Sequence, residues 1–296
     1  EQLRSMNLNH TKRLELAEEP MAVLKVLLVE REYNLESFHN SIVDSIAMER
    51  LTASNHVVNE YAFCGSSVIT EVADGDARSL VKRKDITSYG RLILARNLAE
   101  GLADIHGIDD RTGHATFTHN DVNIANIVQV EGHHIKYNDF NIGILNRWNV
   151  NESKPCGFPV MYESIFWRSP EEIRNETYVS EKVDVFSLGN VLYYLMAKHE
   201  PWKWLEPNGR PSAEDIANRK MRGELPFFPT KLTNSNDIGV QSLFIAIQLC
   251  WTHDPEKRPS AHRIATSLSR VINAMKDGEA HIGSIAELKK YFTVDP

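Results

Sequence analysis

The order of apolar and polar residues predicts a small sheet with one helix in the first 72 residues. The apolar run Met21–Val29 is interrupted only by Lys25 and is typical of a strand. Two more strand-like stretches, His56–Phe63 and Ser67–Val72, flank the turn-forming Cys64-Gly65-Ser66. A helix is expected between the first strand and this pair, because apolar residues recur at roughly every fourth position, at Phe38, Ile42, Ile46 and Leu51.

From Ala73 onward the pattern turns helical. The stretch Ser88–His106 is predicted to be a helix, because it carries one apolar stripe, formed by Leu92, Ala95, Ala99, Leu102 and Ile105. Three further helices are expected, at 183–197, 240–251 and 260–275, the last with Ser260 as its N-cap. Short strands are expected around Val128 and at 135–137.

These patterns together predict an α+β fold with two lobes. Residues 1–72 would form a β-rich N-terminal lobe, residues 73–276 an α-helical C-terminal lobe, and residues 277–296 a C-terminal extension. The stretch 71–74 would connect the lobes. Because ligand pockets favour such junctions, we expect the functional site between the lobes.

Charge and cysteine content narrow the class of protein. Lys and Arg number 33 and Asp and Glu number 40, so the net charge of −7 disfavours a nucleic-acid partner bound through phosphate contacts. Three distant cysteines, Cys64, Cys156 and Cys250, lack the spacing of a disulfide framework or a zinc site. We therefore expect a reduced, cytoplasmic setting.

No apolar run reaches the length of a membrane span, so we expect no membrane segment within the chain. The first residue is Glu1 rather than Met, which indicates a piece of a longer protein. An anchor upstream of residue 1 stays open on this evidence.

Two polar stretches carry the candidate chemistry. Asp121 and Asn126 lie in the stretch 118–128, and Asp139 lies in the stretch 136–141. Each borders an apolar, strand-like piece, so a hairpin could bring the three side chains together. Phosphoryl transfer needs such a set: a carboxylate for the attacking hydroxyl, which suits Asp121, and oxygen ligands for Mg²⁺, which suit Asn126 and Asp139. Lys25 would hold the α- and β-phosphates of ATP from the facing sheet.

Each of these residues also has an ordinary structural interpretation. An aspartate beside a strand is often a turn or cap residue, and Lys25 could be an edge-strand lysine that prevents aggregation. His133-His134 suggests a metal site, but no ligand spacing accompanies it and a hairpin tip is the better interpretation. The joint spacing H-x-D-x-x-x-x-N, then a strand, then D-F-x, favours chemistry over coincidence.

Over about residues 12–275 the chain resembles the eukaryotic protein kinase superfamily. His119-Asn120-Asp121 with Asn126 is similar to the H-R-D catalytic loop, and Asp139-Phe140-Asn141 to the D-F-G motif. Further stretches that resemble kinase motifs are Ala22-Val23-Leu24-Lys25, Ser169-Pro170-Glu171, the run 184–189 and the run 254–259. The runs 48–52 and 138–141 look most like divergent kinase-like proteins of algae and diatoms.

The resemblance implies roles for further residues. Asp44 would pair with Lys25, Val23 and Val128 would enclose the adenine, Thr70 would be the gatekeeper, and the backbone of Glu71 and Ala73 would bind the adenine edge. Glu171 and Arg258 would form a buried ion pair, and Asp184 would bind the backbone around His119. His119 and Phe140 would pack in an apolar column below Met48.

Several positions depart from the family pattern. The stretch 3–10, where the Gly-rich loop is expected, has no glycine, so the loop is missing or truncated. Either it lies upstream of residue 1, or the phosphates are covered without glycine. Asp44 replaces a glutamate and would need the helix to move inward, and Glu49 is a rival partner for Lys25. Asn141 replaces a glycine and would take a positive φ. Asn120 replaces an arginine that grips an activation-segment phosphate, and Asn123 replaces a lysine.

Three functions are consistent with these features. The first is an ATP- and Mg²⁺-dependent protein kinase acting on a protein substrate, with Ser/Thr favoured over Tyr although Phe166-Trp167-Arg168 match neither pattern. The second is a pseudokinase that serves as a nucleotide-binding or scaffold module. The third is a small-molecule phosphotransferase of the choline- or aminoglycoside-kinase type, which the motifs at 169–171 and 184–189 disfavour.

Overall fold

A four-stranded antiparallel sheet forms the first lobe, in the order β1-β2-β4-β3. Its strands are β1 (Asn9–Leu14), β2 (Ala22–Leu27), β3 (Glu60–Cys64) and β4 (Ser67–Glu71). The computed structural model describes residues 9–14, 21–27, 34–109, 113–132, 134–160, 165–174, 176, 178–203, 209, 211–276 and 285–293, and only the backbone of residues 9–14 and 285. In the register of this sheet, Lys25 lies opposite Val68 and Val23 lies opposite Thr70.

The helix of the first lobe, α1 (Leu35–Leu51), begins where Asn34 accepts a hydrogen bond from the backbone of Ser37. Its buried face is formed by Asp44, Ser45, Ala47, Met48 and Leu51. The predicted apolar stripe is therefore wrong at its start, because Phe38 is 37% exposed. The face that contacts the sheet is rotated so that it includes the carboxylate of Asp44.

The second lobe is helical. Its helices are α2 (Ala77–Lys82), α3 (Ser88–His106), α4 (Pro170–Ile173), α5 (Lys182–Ala197), α6 (Ala213–Met221), α7 (Thr230–Thr233), α8 (Ile238–Cys250), α9 (Ala261–Lys276) and α10 (Ile285–Lys290). α3 packs on α9, and α5 packs on α8. α5 is buried on all sides through most of its length, as its continuous apolar sequence predicts. Ser260 accepts a hydrogen bond from the Arg263 amide and caps α9, as predicted.

Seven short strands lie among the described residues from 75 to 155. They are β5 (Gly75–Asp76), β6 (Phe117–Thr118), β7 (Ile127–Val130), β8 (His134–Tyr137), β9 (Ile144–Leu145), β10 (Trp148–Asn149) and β11 (Lys154–Pro155). β5, β7 and β8 form one sheet, β6 pairs with β9, and β10 pairs with β11. A single 3₁₀ turn, Ile124–Asn126, leads directly into β7. The mixed α+β fold with a small sheet and a helical lobe is confirmed.

The predicted strand 56–63 is divided in two. The Val58 amide donates to the Tyr137 carbonyl at 3.0 Å, and the Tyr137 amide donates to the His56 carbonyl at 2.8 Å. β3 begins only at Glu60. The backbone of 56–58 therefore pairs with β8 of the second lobe and ties the lobes together. The lobe boundary at residue 72 stays a prediction.

Neither a membrane span nor a side-chain metal cluster is found in the described segments. None of the described helices has both the length and the apolar content that a bilayer crossing requires. Among those same residues, no group of three or more His, Cys, Asp or Glu side chains could hold a metal ion. His133, part of the candidate His pair, lies outside the described residues, and His134 belongs to β8.

Candidate active site

Lys25, in the interior of β2, lies close to the carboxylates of Asp44 and Asp139. Its Nζ is 2.7 Å from Oδ2 of Asp44 and 3.5 Å from Oδ1 of Asp139. Burial by itself lowers the pKa of Lys25, but the carboxylates of Asp44 and Asp139 outweigh it and raise the pKa above its ordinary value. The ammonium form is therefore held firmly, as a contact to phosphate oxygens requires.

Asp44 connects this lysine to the second lobe. Its side chain is buried, and its Oδ1 accepts a hydrogen bond of 2.7 Å from the backbone amide of Phe140. Although aspartate is one methylene shorter than glutamate, α1 lies close enough for both contacts. Glu49, the rival partner, is exposed. The structure thus brings Asp44 rather than Glu49 to Lys25.

Asp121 and Asn126 form a second polar pair on the loop that leads into β7. Nδ2 of Asn126 donates to Oδ2 of Asp121 at 2.8 Å and to the Asp121 carbonyl at 3.0 Å. Both amide hydrogens of Asn126 are used in this way, which leaves its amide oxygen as the atom that could bind a cation. Oδ1 of Asp121 lies 3.9 Å from the guanidinium of Arg168, and the Asp121 side chain is 37% exposed. A substrate can therefore reach this carboxylate.

Asp139 has the features of a cation ligand. Its Oδ1 is buried, and apart from the Lys25 ammonium at 3.5 Å it has no hydrogen-bond donor among the described residues. Burial raises the pKa of Asp139, Lys25 opposes this, and the nearby carboxylates of Asp44 and Asp121 raise it further. A divalent cation would compensate this concentration of negative charge, and its preferred ligands are oxygen atoms. The residues present therefore fit Mg²⁺ between Asp139 and Asn126.

The strained backbone of the site lies at Asn120 and Asp139, whose φ angles are +63° and +67°. The expectation of a positive φ at Asn141 is wrong. Asn141 instead occupies a turn that the Gly143 amide closes by donating to the Phe140 carbonyl at 2.8 Å. A Cβ at Gly143 would lie 2.2 Å from Phe117, so this glycine, which the sequence did not mark, allows the turn to pack.

Asp184 braces the catalytic loop. Its carboxylate accepts hydrogen bonds from the backbone amides of His119 at 2.7 Å and Asn120 at 2.9 Å. The ring of His106 lies 3.1 Å from the same carboxylate. The ring of His119 packs 4.8 Å from that of Phe140, and both side chains are fully buried in the core that contains Met48. The structure thus brings Asp184 to the backbone around His119, and the ring of His119 to that of Phe140.

Glu171 and Arg258 form a bidentate buried pair. Nη1 of Arg258 lies 2.6 Å from Oε1 of Glu171, and Nη2 lies 3.1 Å from Oε2. The guanidinium also donates to the carbonyls of Thr252 and Lys182, at 2.9 and 2.7 Å. The buried charges are thus paired and hydrogen-bonded on both sides, which is the condition under which such a pair is tolerated.

The family assignment follows from a comparison with known proteins. The family model described as protein kinase domain matches residues 6–268, nearly the whole chain. This chain belongs to the protein kinase domain family. The predicted family is confirmed.

Relatives of this kinase domain are distant. It is 26% identical over 210 residues to the dual specificity protein kinase shkD of Dictyostelium discoideum, covering 69% of this chain and 25% of that protein. It is 26% identical over 261 residues to the serine/threonine-protein kinase CTR1 of Arabidopsis thaliana, covering 84% and 28%. It is 22% identical over 272 residues to the receptor-type guanylate cyclase Gyc76C of Drosophila melanogaster, covering 91% and 16%. The chain thus spans less than a third of the length of these relatives.

The predicted adenine-binding residues of the kinase domain lie on both sheets. Val23 and Thr70 face each other on β2 and β4, and Val128 is buried on β7. Ala73 is exposed in the connector. The amide of Glu71 donates to the Asn59 carbonyl at 3.0 Å, so this amide is already used. Their contacts with adenine stay predictions.

The side chain of Glu71 has a partner that the sequence did not suggest. Its Oε1 accepts from Nζ of Lys136 at 2.6 Å and from the amide of Asn59 at 2.7 Å. No local pattern marked this contact, because Ile135, Lys136 and Tyr137 are all buried in β8 and show no two-residue alternation. The pair fixes the connector of the kinase domain against β8.

The place of the Gly-rich loop is only partly described. Residues 3–8 lie outside the described residues, and Asn9 and His10 belong to β1. The expectation of a loop is therefore wrong at the last two positions, because their backbone pairs with Val26 and Leu27 of β2.

Proposed function

We propose that this domain is an ATP- and Mg²⁺-dependent protein kinase that transfers the γ-phosphate to a hydroxyl of a protein substrate. The observation that carries the proposal is that Lys25, Asp44 and Asp139 lie beside the pair Asp121 and Asn126. The amide of Asn138, next to Asp139, donates to the Asn126 carbonyl at 3.0 Å and joins the two groups. These groups match the demands of phosphoryl transfer, which needs positioning and charge compensation more than covalent chemistry.

Asp121 is the group suited to accept the substrate proton. Asn126 donates to its Oδ2, so Oδ1, 3.9 Å from the Arg168 guanidinium, is the oxygen assigned to the proton. As the hydroxyl oxygen bonds to the γ-phosphorus, the bond between that phosphorus and the bridging oxygen of ADP breaks, and the hydroxyl proton passes to Asp121. The ammonium of Lys25 binds the α- and β-phosphates and orients the triphosphate for this step.

Asp139 and Asn126 would hold Mg²⁺, which when bound neutralises charge on the β- and γ-phosphates. Asp139 would contribute its buried Oδ1, whose ion-pair partner among the described residues is the Lys25 ammonium at 3.5 Å, and Asn126 would contribute its amide oxygen. Asn123, which replaces a lysine of the family pattern, brings no positive charge to the phosphates. Its side chain instead caps the turn at 124–126 by accepting hydrogen bonds from the amides of Ala125 and Asn126.

Ser or Thr is the proposed acceptor. Support comes from relatives that are named serine/threonine or dual specificity kinases. The buried contacts of Glu171 and of Asp184, in the motifs that disfavour a small-molecule phosphotransferase, support a protein substrate.

The decisive experiment compares wild type with Asp121→Asn on a library of Ser, Thr and Tyr peptides. We expect wild type to phosphorylate Ser or Thr peptides and the variant to be slower by about 10²–10⁴-fold. The increase in melting temperature on adding ATP is measured with and without Mg²⁺. Under each condition, wild type and Asp121→Asn should show the same increase. Binding of Mg²⁺ and ATP by wild type without any transfer would reject the kinase in favour of the pseudokinase.

A further inference from the structure

Lys220 is a buried lysine outside the active site. It lies in α6, is 1% exposed, and donates hydrogen bonds to the carbonyls of Ile165 at 2.7 Å, Phe166 at 3.1 Å and Arg168 at 2.7 Å. All three N–H donors of an ammonium group are thereby used. The three acceptors belong to one stretch of four residues, directly before the Ser169 cap of α4.

The remaining carbonyl of this stretch also accepts hydrogen bonds from buried side chains of the lobe. The carbonyl of Trp167 accepts from Oγ of Ser187 at 3.0 Å and from Nδ2 of Asn190 at 2.8 Å. Four consecutive carbonyls of the segment 165–168 therefore point into the lobe. Backbone amides and side chains are what this segment can offer to a bound peptide.

The segment also contacts the catalytic loop. The guanidinium of Arg168 donates to the carbonyl of Asn120, lies 3.2 Å from Oε1 of Glu172, and lies 3.9 Å from Oδ1 of Asp121. A chain of contacts thus runs from Lys220 through the backbone and side chain of Arg168 to the proposed proton acceptor. A shift of the segment would move the guanidinium relative to Asp121.

Burying an ammonium group is costly, and an apolar side chain would fill the same space without that cost. Lys220 sits 5.4 Å from the ring centroid of Phe186, a favourable but modest contact. The lysine is therefore better explained by the three carbonyls that it orders than by packing.

We propose that Lys220 is a positioning residue for the protein substrate, holding the segment 165–168 and, through Arg168, the catalytic loop at Asp121. This inference rests on the proposed kinase function. It adds that the surface for the acceptor peptide is ordered by a buried lysine of α6.

The test compares wild type with Lys220→Met, which keeps the length but removes the donors, and with Lys220→Gln, which keeps two of them. Lys231→Met is the control, because Lys231 is exposed in α7. With a Ser or Thr peptide substrate, Lys220→Met should raise the KM for peptide by about tenfold or more while the KM for ATP stays within about twofold. Lys220→Gln should lie between Lys220→Met and wild type.

Amide hydrogen exchange gives a readout that needs no activity. The Ser169 amide directly follows the segment and donates to Oε2 of Glu172 at 2.8 Å. In Lys220→Met, this amide should exchange about tenfold faster than in wild type, with α5 unchanged. An inactive wild type would reject the proposed function, but this exchange difference would still support the ordering role.

An equal change in both KM values, or unchanged exchange of the Ser169 amide, would overturn the inference. Both Lys220 variants should unfold cooperatively, and ATP should raise their melting temperatures. If both variants fail in these respects, the inference is overturned, because the lysine would then serve the stability of the whole lobe.

Discussion

Lys25 and Asp44 form an ion pair of 2.7 Å, although the acid is one methylene shorter than the glutamate that the resemblance implied. The same carboxylate accepts the Phe140 amide. The side chain of Asp44 therefore couples the position of Lys25 to that of the turn at residues 139–141.

Asp44→Ala should lower the rate of peptide phosphorylation by about 100-fold, because Lys25 and the Phe140 turn both lose their anchor. The rate is measured at saturating ATP and peptide. Glu49→Ala, on the exposed side of the same helix, is the control and should retain the wild-type rate. A wild-type rate in Asp44→Ala would show that α1 does not position the lysine.

Glu171→Ala should destabilise the fold by about 3–5 kcal/mol, because the guanidinium of Arg258 would be left buried without its carboxylate partner. Urea unfolding monitored by tryptophan fluorescence measures this free energy. Glu256→Ala, an exposed acid in the turn before Arg258, should change the stability by less than about 0.5 kcal/mol. Equal effects of the two variants would contradict a buried role for the pair.

Glu60 makes stability depend on pH. It is 8% exposed, and its Oε2 has no hydrogen-bond donor among the described residues. Burial, followed by repulsion from Asp44 and Glu49, raises the pKa of Glu60 from 4.5 to about 7, against the opposing effect of Lys25. Because the folded state holds the proton more tightly, Glu60 costs stability as pH rises from 4.5 to about 7, and the full cost remains above that range.

Glu60→Gln removes this ionisation. The variant should melt about 2–4 °C above wild type at pH 8, and the difference should shrink towards zero near pH 5. Scanning calorimetry across this pH range measures it. Glu131→Gln, an exposed acid between β7 and β8, should give no such pH-dependent difference. A difference that is constant with pH would show that Glu60 is ionised throughout.

Activity should not require phosphorylation in residues 141–169. Asn120, which replaces the phosphate-binding arginine, donates to the Ile142 carbonyl at 3.2 Å, and its own carbonyl accepts from Arg168. Direct hydrogen bonds thus connect the catalytic loop with both flanking segments. Phosphatase-treated and untreated enzyme should phosphorylate peptide at equal rates, with mass spectrometry as the check on removal. Loss of activity on treatment would contradict this expectation.

Local patterns predicted the long elements well. The helix over 88–106 has the predicted ends, since its apolar stripe lies within the segment and its Thr87 cap lies directly before it. The spacing of Asp121, Asn126 and Asp139 indicated a common site because β7 and β8 are neighbours in the chain. The stretch 56–63 was predicted less well, because its first residues pair with Tyr137, about 80 residues away.

The sequence by itself determined the α+β class, the family motifs and the identity of the polar residues, because these depend on short-range periodicity and spacing. Only the tertiary structure decided which charges are buried and what they contact. Lys220 lies in a helix whose sequence is mostly polar. Glu60 is the one buried residue of a strand that is otherwise exposed. Whether such a side chain meets water, three carbonyls or another carboxylate depends on the elements that pack over it, and those elements are distant in the chain.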